Sequence, residues 1–278
     1  MKTKIVFILI FVYQLIFSQI VELDKKIGKF SKAGSFSLVH SGYIYVSDRD
    51  NDEVYKMDFD GIIIKQIGGY GWDIGLFDEP VDVFANELNV YIADKNNDRI
   101  QILDRELNFL SEFKTNNKES ESYTFVKPTC FAISNQSDLL VLDSYNNRIL
   151  KYDLTGRFLQ EIGNYDSGEY SLSNPVKFAI SPDGKIFVVN DDVIFVFDQY
   201  GNGIAKLDIG FNATGIKIFE TILSLNNDKL IKSIDLRDIN SDFIEYKLEE
   251  DISILETFIS NNKLFVLTKN TVYVYNIL

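Results

Sequence analysis

The stretch LVLDSYNNRILKYDLTG, residues 140–156, decides the fold. It recurs as YIADKNNDRIQILDREL at 91–107 and as YVSDRDNDEVYKMDFDG at 45–61. Each copy has an Asp, an Asn three residues on, a charged residue five on and a second Asp ten on. These are Asp48/Asn51/Glu53/Asp58, Asp94/Asn97/Arg99/Asp104 and Asp143/Asn146/Arg148/Asp153. The copies start 46 and then 49 residues apart, which is the spacing of a repeat architecture.

Within a copy, Tyr45-Val46-Ser47 or Tyr91-Ile92-Ala93 suits one short buried strand. Asp-x-x-Asn is turn chemistry, since Asx side chains bond nearby backbone and tolerate positive φ. Val54 to Met57, Ile100 to Leu103 and Ile149 to Tyr152 return as a second strand. Turns at Asp60-Gly61 and Thr155-Gly156 lead into a third, and a preceding strand begins near Pro80, Pro128 and Pro175, where no ladder donor is needed. Four antiparallel strands per period make a propeller blade.

The sequence resembles the NHL-repeat family of β-propellers. The resemblance is fullest in Pro128, Asp143, Asn146, Arg148, Ile149, Asp153, Gly156, Ile162 and Gly163. The first copy departs from the pattern by carrying Glu53 in place of the Arg. The expectation is an all-β, six-bladed propeller with four-stranded antiparallel blades. Val21 to Ile27 is expected to complete the last blade beside Val272 to Ile277, removing both sheet edges. The resemblance fixes a fold and not an activity.

Residues 1–19 read as a secretory signal, with Lys2 and Lys4 ahead of the apolar run Ile5 to Phe17, and residues 20–278 as the propeller. The run is short for a bilayer span, so no integral membrane domain is expected after cleavage. Export to the periplasm, cell surface or medium follows. Cys130 is the sole cysteine, so an intrachain disulfide is excluded and blade packing must supply stability. Without Lys2 and Lys4 the chain has 26 basic and 41 acidic side chains, a net charge near −15 that repels phosphate backbones. No nucleic-acid partner is expected.

Catalytic machinery is sparse. One His and one Cys cannot make a typical zinc site, and His40, before the turn Ser41-Gly42, reads as a turn residue. Asp48-Arg49-Asp50-Asn51-Asp52 begins like a calcium loop but has Glu53 where Gly is wanted and Phe59 where Glu is wanted. Gly68-Gly69-Tyr70-Gly71-Trp72 leads to a strand, so it has no helix dipole with which to cradle phosphate.

The long connections 68–79, 114–127 and 163–174 stand out. They carry Tyr70, Trp72, Tyr123, Tyr165 and Tyr170, aromatic side chains that suit a protein, peptide or carbohydrate ligand on one face. Asp82, Cys130 and Lys177 each lie two residues after a Pro, and their equivalence points Asp82 and Lys177 towards the channel mouth as further ligand-binding candidates. Two readings follow. The first is an exported, non-enzymatic ligand-binding or scaffold propeller without a cofactor. The second is a metal-assisted lyase or hydrolase with calcium held in the central channel.

Overall fold

The structure, a computed structural model, describes residues 18–115 and 123–278. Residues 1–17 of the expected leader lie outside the described residues. Ser18 and Gln19 belong to the first strand, β1 (Ser18–Ile27).

Four consecutive four-stranded antiparallel sheets follow. The first is β2 (Ala33–Val39), β3 (Tyr43–Asp48), β4 (Glu53–Asp58) and β5 (Ile63–Gly68). The second is β6 (Pro80–Ala85), β7 (Asn89–Asp94), β8 (Arg99–Asp104) and β9 (Phe109–Phe113). The third is β10 (Phe131–Ile133), β11 (Leu139–Asp143), β12 (Arg148–Tyr152) and β13 (Phe158–Ile162). The fourth is β14 (Pro175–Ile180), β15 (Ile186–Asn190), β16 (Val193–Phe197) and β17 (Gly203–Asp208).

The remaining strands are β18 (Gly215–Phe219), β19 (Ile222–Asn226), β20 (Ile231–Asp235), β21 (Ile244–Lys247), β22 (Glu256–Ser260), β23 (Lys263–Leu267) and β24 (Val272–Ile277). With β1 they form one eight-stranded sheet in the order β18-β19-β20-β21-β1-β24-β23-β22. The arrangement is therefore four four-stranded blades plus an eight-stranded sheet, which corrects the expectation of six separate four-stranded blades. The reason lies in β1. Val21 to Ile27 pair antiparallel with β24, from Val21↔Ile277 to Ile27↔Val272. Ser18, Gln19 and Ile20 pair parallel with Glu245, Tyr246 and Lys247 of β21. The strand starts two residues before the boundary assigned to the leader, and those residues take a second partner that fuses two sheets.

The repeated Asp is the fastener of the first two blades. Asp48 accepts from the Ser31 and Lys32 amides at 2.7 and 2.9 Å, and Asp94 from the Asp78 amide at 2.8 Å. Each ties the turn between the second and third strands to the connection entering its own sheet. The Asn three residues on donates back to the same Asp at 3.1, 2.9 and 2.9 Å in the three copies. In the fourth blade Asn190 does this work, its Oδ1 accepting from the Ser173 and Asn174 amides. The second Asp of each unit caps the next turn, as Asp153 does for the Thr155 and Arg157 amides.

Apolar side chains of neighbouring sheets interdigitate to form the core. Val39, Tyr45 and Val54 meet Val83, Ile92 and Leu103. Phe265 and Val274 meet Phe36, Ile44 and Met57, so the end of the chain packs on its beginning and the ring closes. The first strands of the sheets touch in the order β2–β6–β10–β14–β18–β22 and back to β2, enclosing a central channel. Each of these strands starts on the face that carries the long connections, here the loop face. Each ends in a short turn on the opposite face, here the turn face.

Candidate functional site: a charged channel with a histidine at its mouth

Five polar side chains meet inside the channel. Glu256 opens β22 and is fully buried; Asp82 on β6 is 4% exposed. The Ser35 hydroxyl lies 2.7 Å from Asp82 Oδ1 and 2.8 Å from Glu256 Oε2. Lys217 Nζ on β18 donates to Ser35 Oγ at 3.0 Å and lies 3.3 Å from Glu256 Oε2 and 3.5 Å from Asp82 Oδ1. Lys177 Nζ on β14 pairs with Glu256 Oε1. Backbone amides complete the set: Phe36 donates to Glu256, and Val83 and Phe131 to Asp82.

The cluster balances two carboxylates with two ammoniums, the condition under which buried charge is tolerated. Burial disfavours the Glu256 carboxylate, but Lys177 and Lys217 outweigh it and hold the carboxyl below the usual range. Burial likewise disfavours the Lys177 ammonium, and Glu256 and then Asp82 outweigh it and raise the group above the ordinary lysine value. Cys130 sits beside the cluster with its Sγ 3.7 Å from the Phe178 carbonyl oxygen. Burial, reinforced by Asp82, pushes its thiol up to about 12.

A cavity of about 250 Å³ runs from this cluster along the channel to the turn face. Apolar walls come from Phe131, Phe178, Ile216 and Phe258, and the rim carries His40, Asn86, Glu87 and Glu220. His40 and Glu220 follow the last residues of β2 and β18, the strands on either side of β22 in the ring. His40 Nδ1 lies 3.5 Å from Glu220 Oε1, and its ring stands 4.8 Å from that of Phe219. The His40 side chain is 62% exposed, so it faces both solvent and the cavity mouth.

The residues singled out in the sequence separate into two places. Asp82 and Lys177 both line the cavity, but at its inner, buried end and not at a hydrated mouth. Trp72 and Tyr70, 74% and 71% exposed, project from the loop face, on the other side of the molecule from the mouth. Their loop is fixed from beneath by Arg99, which donates to the carbonyls of Trp72, Asp73 and Leu76 while pairing with Asp94 at 2.7 Å. Tyr165 is 94% exposed on another connection of the same face. Tyr123 and Tyr170 are packing residues in part. The Tyr123 ring stacks on Phe158 with centroids 4.1 Å apart. Tyr170 lies against Phe195 and Phe197 and fills the space above Gly203, where a Cβ would meet its ring at 2.0 Å. The five aromatic residues are thus not gathered with Asp82 and Lys177.

Ser35, His40, Lys217, Glu220 and Glu256 were not among the sequence-based site residues. Lys217 and Glu256 lie on strands whose start no Pro marks, so the spacing that found Asp82 and Lys177 gave no signal there. Both carboxylates of the cluster face ammonium groups. Among the described residues no group of three or more His, Cys, Asp or Glu side chains is gathered for a metal ion. Nor is any helix among them long and apolar enough to cross a membrane.

No family model matches the sequence. Over 145 residues the chain is 30% identical to Protein brain tumor of Drosophila melanogaster, a stretch covering 51% of this chain and 13% of that relative. The chain therefore spans about an eighth of the relative's length. Among solved structures, a streptogramin B lyase superimposes with a TM-score of 0.63 at 14% identity, covering 91% of this chain and 97% of the other. A catalytically inactive histidine-to-alanine variant of virginiamycin B lyase from Staphylococcus aureus, with quinupristin, superimposes with a TM-score of 0.62 at 13% identity, covering 97% and 98%. At these identities the likeness is one of fold, and the fold is a β-propeller. It nonetheless corrects the expectation of a non-enzymatic scaffold. That expectation rested on the lack of a histidine cluster and of a nucleophile motif, and proteins described as lyases share this architecture over nine tenths of the chain.

Proposed function

We propose that this propeller, built from NHL-like repeats and exported, is a lyase that works in the channel cavity. The observation that carries the reading is the chain's single histidine, held by a carboxylate at the mouth of a cavity whose inner end is an ammonium cluster. His40 is the general base. His40 Nδ1 faces Glu220 Oε1 at 3.5 Å, and the tautomer with its proton on Nδ1 keeps the Nε2 lone pair to take a proton. Lys177 anchors an anionic or carbonyl group of the substrate from within.

The step is an elimination. A C–H bond next to a carbonyl breaks and its proton passes to His40 Nε2. The electron pair becomes a carbon–carbon double bond, and the leaving group departs with its own bonding pair. His40 then returns the proton to the leaving group or to water. The chemistry needs a base and an anchor, and this chain supplies both from the channel walls.

The experiment is turnover of quinupristin and of small carbonyl compounds carrying a β-leaving group, followed by mass spectrometry and by the absorbance of the new double bond. Replacing His40 with Asn should lower the rate by about 100-fold or more, the usual contribution of a positioned base. Full activity in His40→Asn, or no turnover of any of these compounds by the unaltered protein, refutes the proposal.

A further inference from the structure

The accessible part of the channel cluster is not neutral, although the cluster as a whole is. The Glu256 side chain is fully covered and that of Asp82 is 6% exposed, whereas Lys177 keeps 23% of its side-chain surface and Lys217 16%. Lys217 spends its donors on Ser35, Glu256 and Asp82. Lys177 has Glu256 as its one ion-pair partner among the described residues and lines the cavity. An ammonium has three donors, so Lys177 has some left to offer inward. The inner end therefore presents positive charge, and burial makes a charge-assisted bond there a strong one.

The rim has the opposite sign. Glu87 and Glu220 stand at the mouth, with Glu87 Oε1 accepting from the Ser41 amide at 3.3 Å. Between the two ends lie aromatic and aliphatic walls. The depth follows from strand geometry: Lys217 and Glu220 are three residues apart, roughly 10 Å at about 3.3 Å per residue. Two to three extended peptide residues span about 7–10 Å. The volume of about 250 Å³ lies just below the range of about 300–1,000 Å³ usual for ligand sites.

We infer that the cavity takes a short peptide with free ends, two or three residues long. Its C-terminal carboxylate meets Lys177, an apolar C-terminal side chain lies against Phe131, Phe178 and Phe258, and its amino group faces Glu87. The inference rests on the cavity named above as the reaction site, and it narrows the substrate to peptides and peptide-like acids.

The test is calorimetric titration with glycyl-L-phenylalanine, its C-terminal amide and its N-acetyl derivative. The free dipeptide should bind. Amidation should weaken it by about 10- to 100-fold, the worth of a charged hydrogen bond at a covered site. Acetylation should weaken it by about two- to fivefold, because the rim pair is exposed. The double variant Lys177→Met/Glu256→Gln removes the buried pair together and should abolish the difference between acid and amide. Glu87→Gln, exposed and expected to fold like the parent, should abolish the difference between amine and N-acetyl forms.

Equal affinity for acid and amide in the parent, or no dipeptide binding at millimolar concentration, overturns the inference. His40→Asn separates it from the proposed reaction. Dipeptide binding with the same preferences keeps the inference, whereas full turnover in this variant, or no turnover by the parent, sinks the lyase. Turnover of neutral compounds without dipeptide binding does the reverse.

Discussion

Glu256→Gln tests the channel cluster most directly, because it removes one charge and almost no volume. In the parent, Glu256 receives Lys177, Lys217 at 3.3 Å, the Ser35 hydroxyl at 2.8 Å and the Phe36 amide at 3.1 Å, with no exposed surface. The amide keeps the shape and an acceptor but leaves two largely covered ammoniums sharing Asp82. Breaking a buried pair by removing one partner costs about 3–5 kcal/mol. For a chain of this size each kcal/mol moves the melting temperature by about 2–4 °C, so the midpoint at neutral pH should fall by about 6–20 °C. The pH dependence gives the second half of the test. Glu256 has a folded pKa below its unfolded value of about 4.3. Its stabilisation is therefore complete above that unfolded value and is lost as pH falls through the folded one. Calorimetry of parent and variant from neutral to strongly acidic pH should show two curves that are far apart at the start and converge in acid. Equal midpoints at neutral pH, or a gap that persists undiminished in acid, would show that Glu256 is not the hub of this cluster.

Two further outcomes follow from other parts of the structure. Arg99→Met removes the donors beneath the Trp72 loop and leaves buried Asp94 without its Arg; it should cost about 3–5 kcal/mol and shift Trp72 emission, whereas Trp72→Ala should change stability by about 0.5 kcal/mol or less, both read by chemical denaturation. Cys130, buried and with its thiol pushed up to about 12, should resist iodoacetamide in the folded protein at mildly alkaline pH and react fully once unfolded; rapid labelling of the folded form would contradict its placement.

Some of this architecture is local chemistry and could be read from the sequence. The Asp, Asn and second Asp of each repeat bond to backbone within or near their own turn, so their spacing alone encodes the hairpins. Where the Arg is replaced by Glu53, Asp48 indeed pairs with amides and Asn51 and not with a cation, and Glu53 accepts from the Tyr55 hydroxyl at 2.5 Å. The parallel contact of Ser18 to Ile20 with β21 has no local signature, because it joins residues more than two hundred positions apart. The channel was half legible. Asp82 and Lys177 follow a Pro at fixed spacing, but Lys217 and Glu256 do not, and only the closed ring brings all four together. His40 was readable as a turn residue, and it is one. What the sequence could not show is that its turn and that of Glu220 meet at a cavity mouth.

The two faces of the propeller invite different explanations of its polar residues. On the loop face, Arg99 lies buried among carbonyls and carboxylates that it satisfies, and a structural role accounts for every bond it makes. In the channel that account fails. Apolar side chains of similar size would fill the space at no desolvation cost, and replacing buried ion pairs in this way is often neutral or stabilising. The walls beyond the cluster show that the channel accepts such residues, since Phe131, Phe178, Ile216 and Phe258 line it. Four charges held at the inner end of apolar walls, with the ammonium side left open and the carboxylate side covered, serve no packing need. They make sense as a preorganised end wall for an anionic group, positioned before a ligand arrives and opposite the only histidine in the chain.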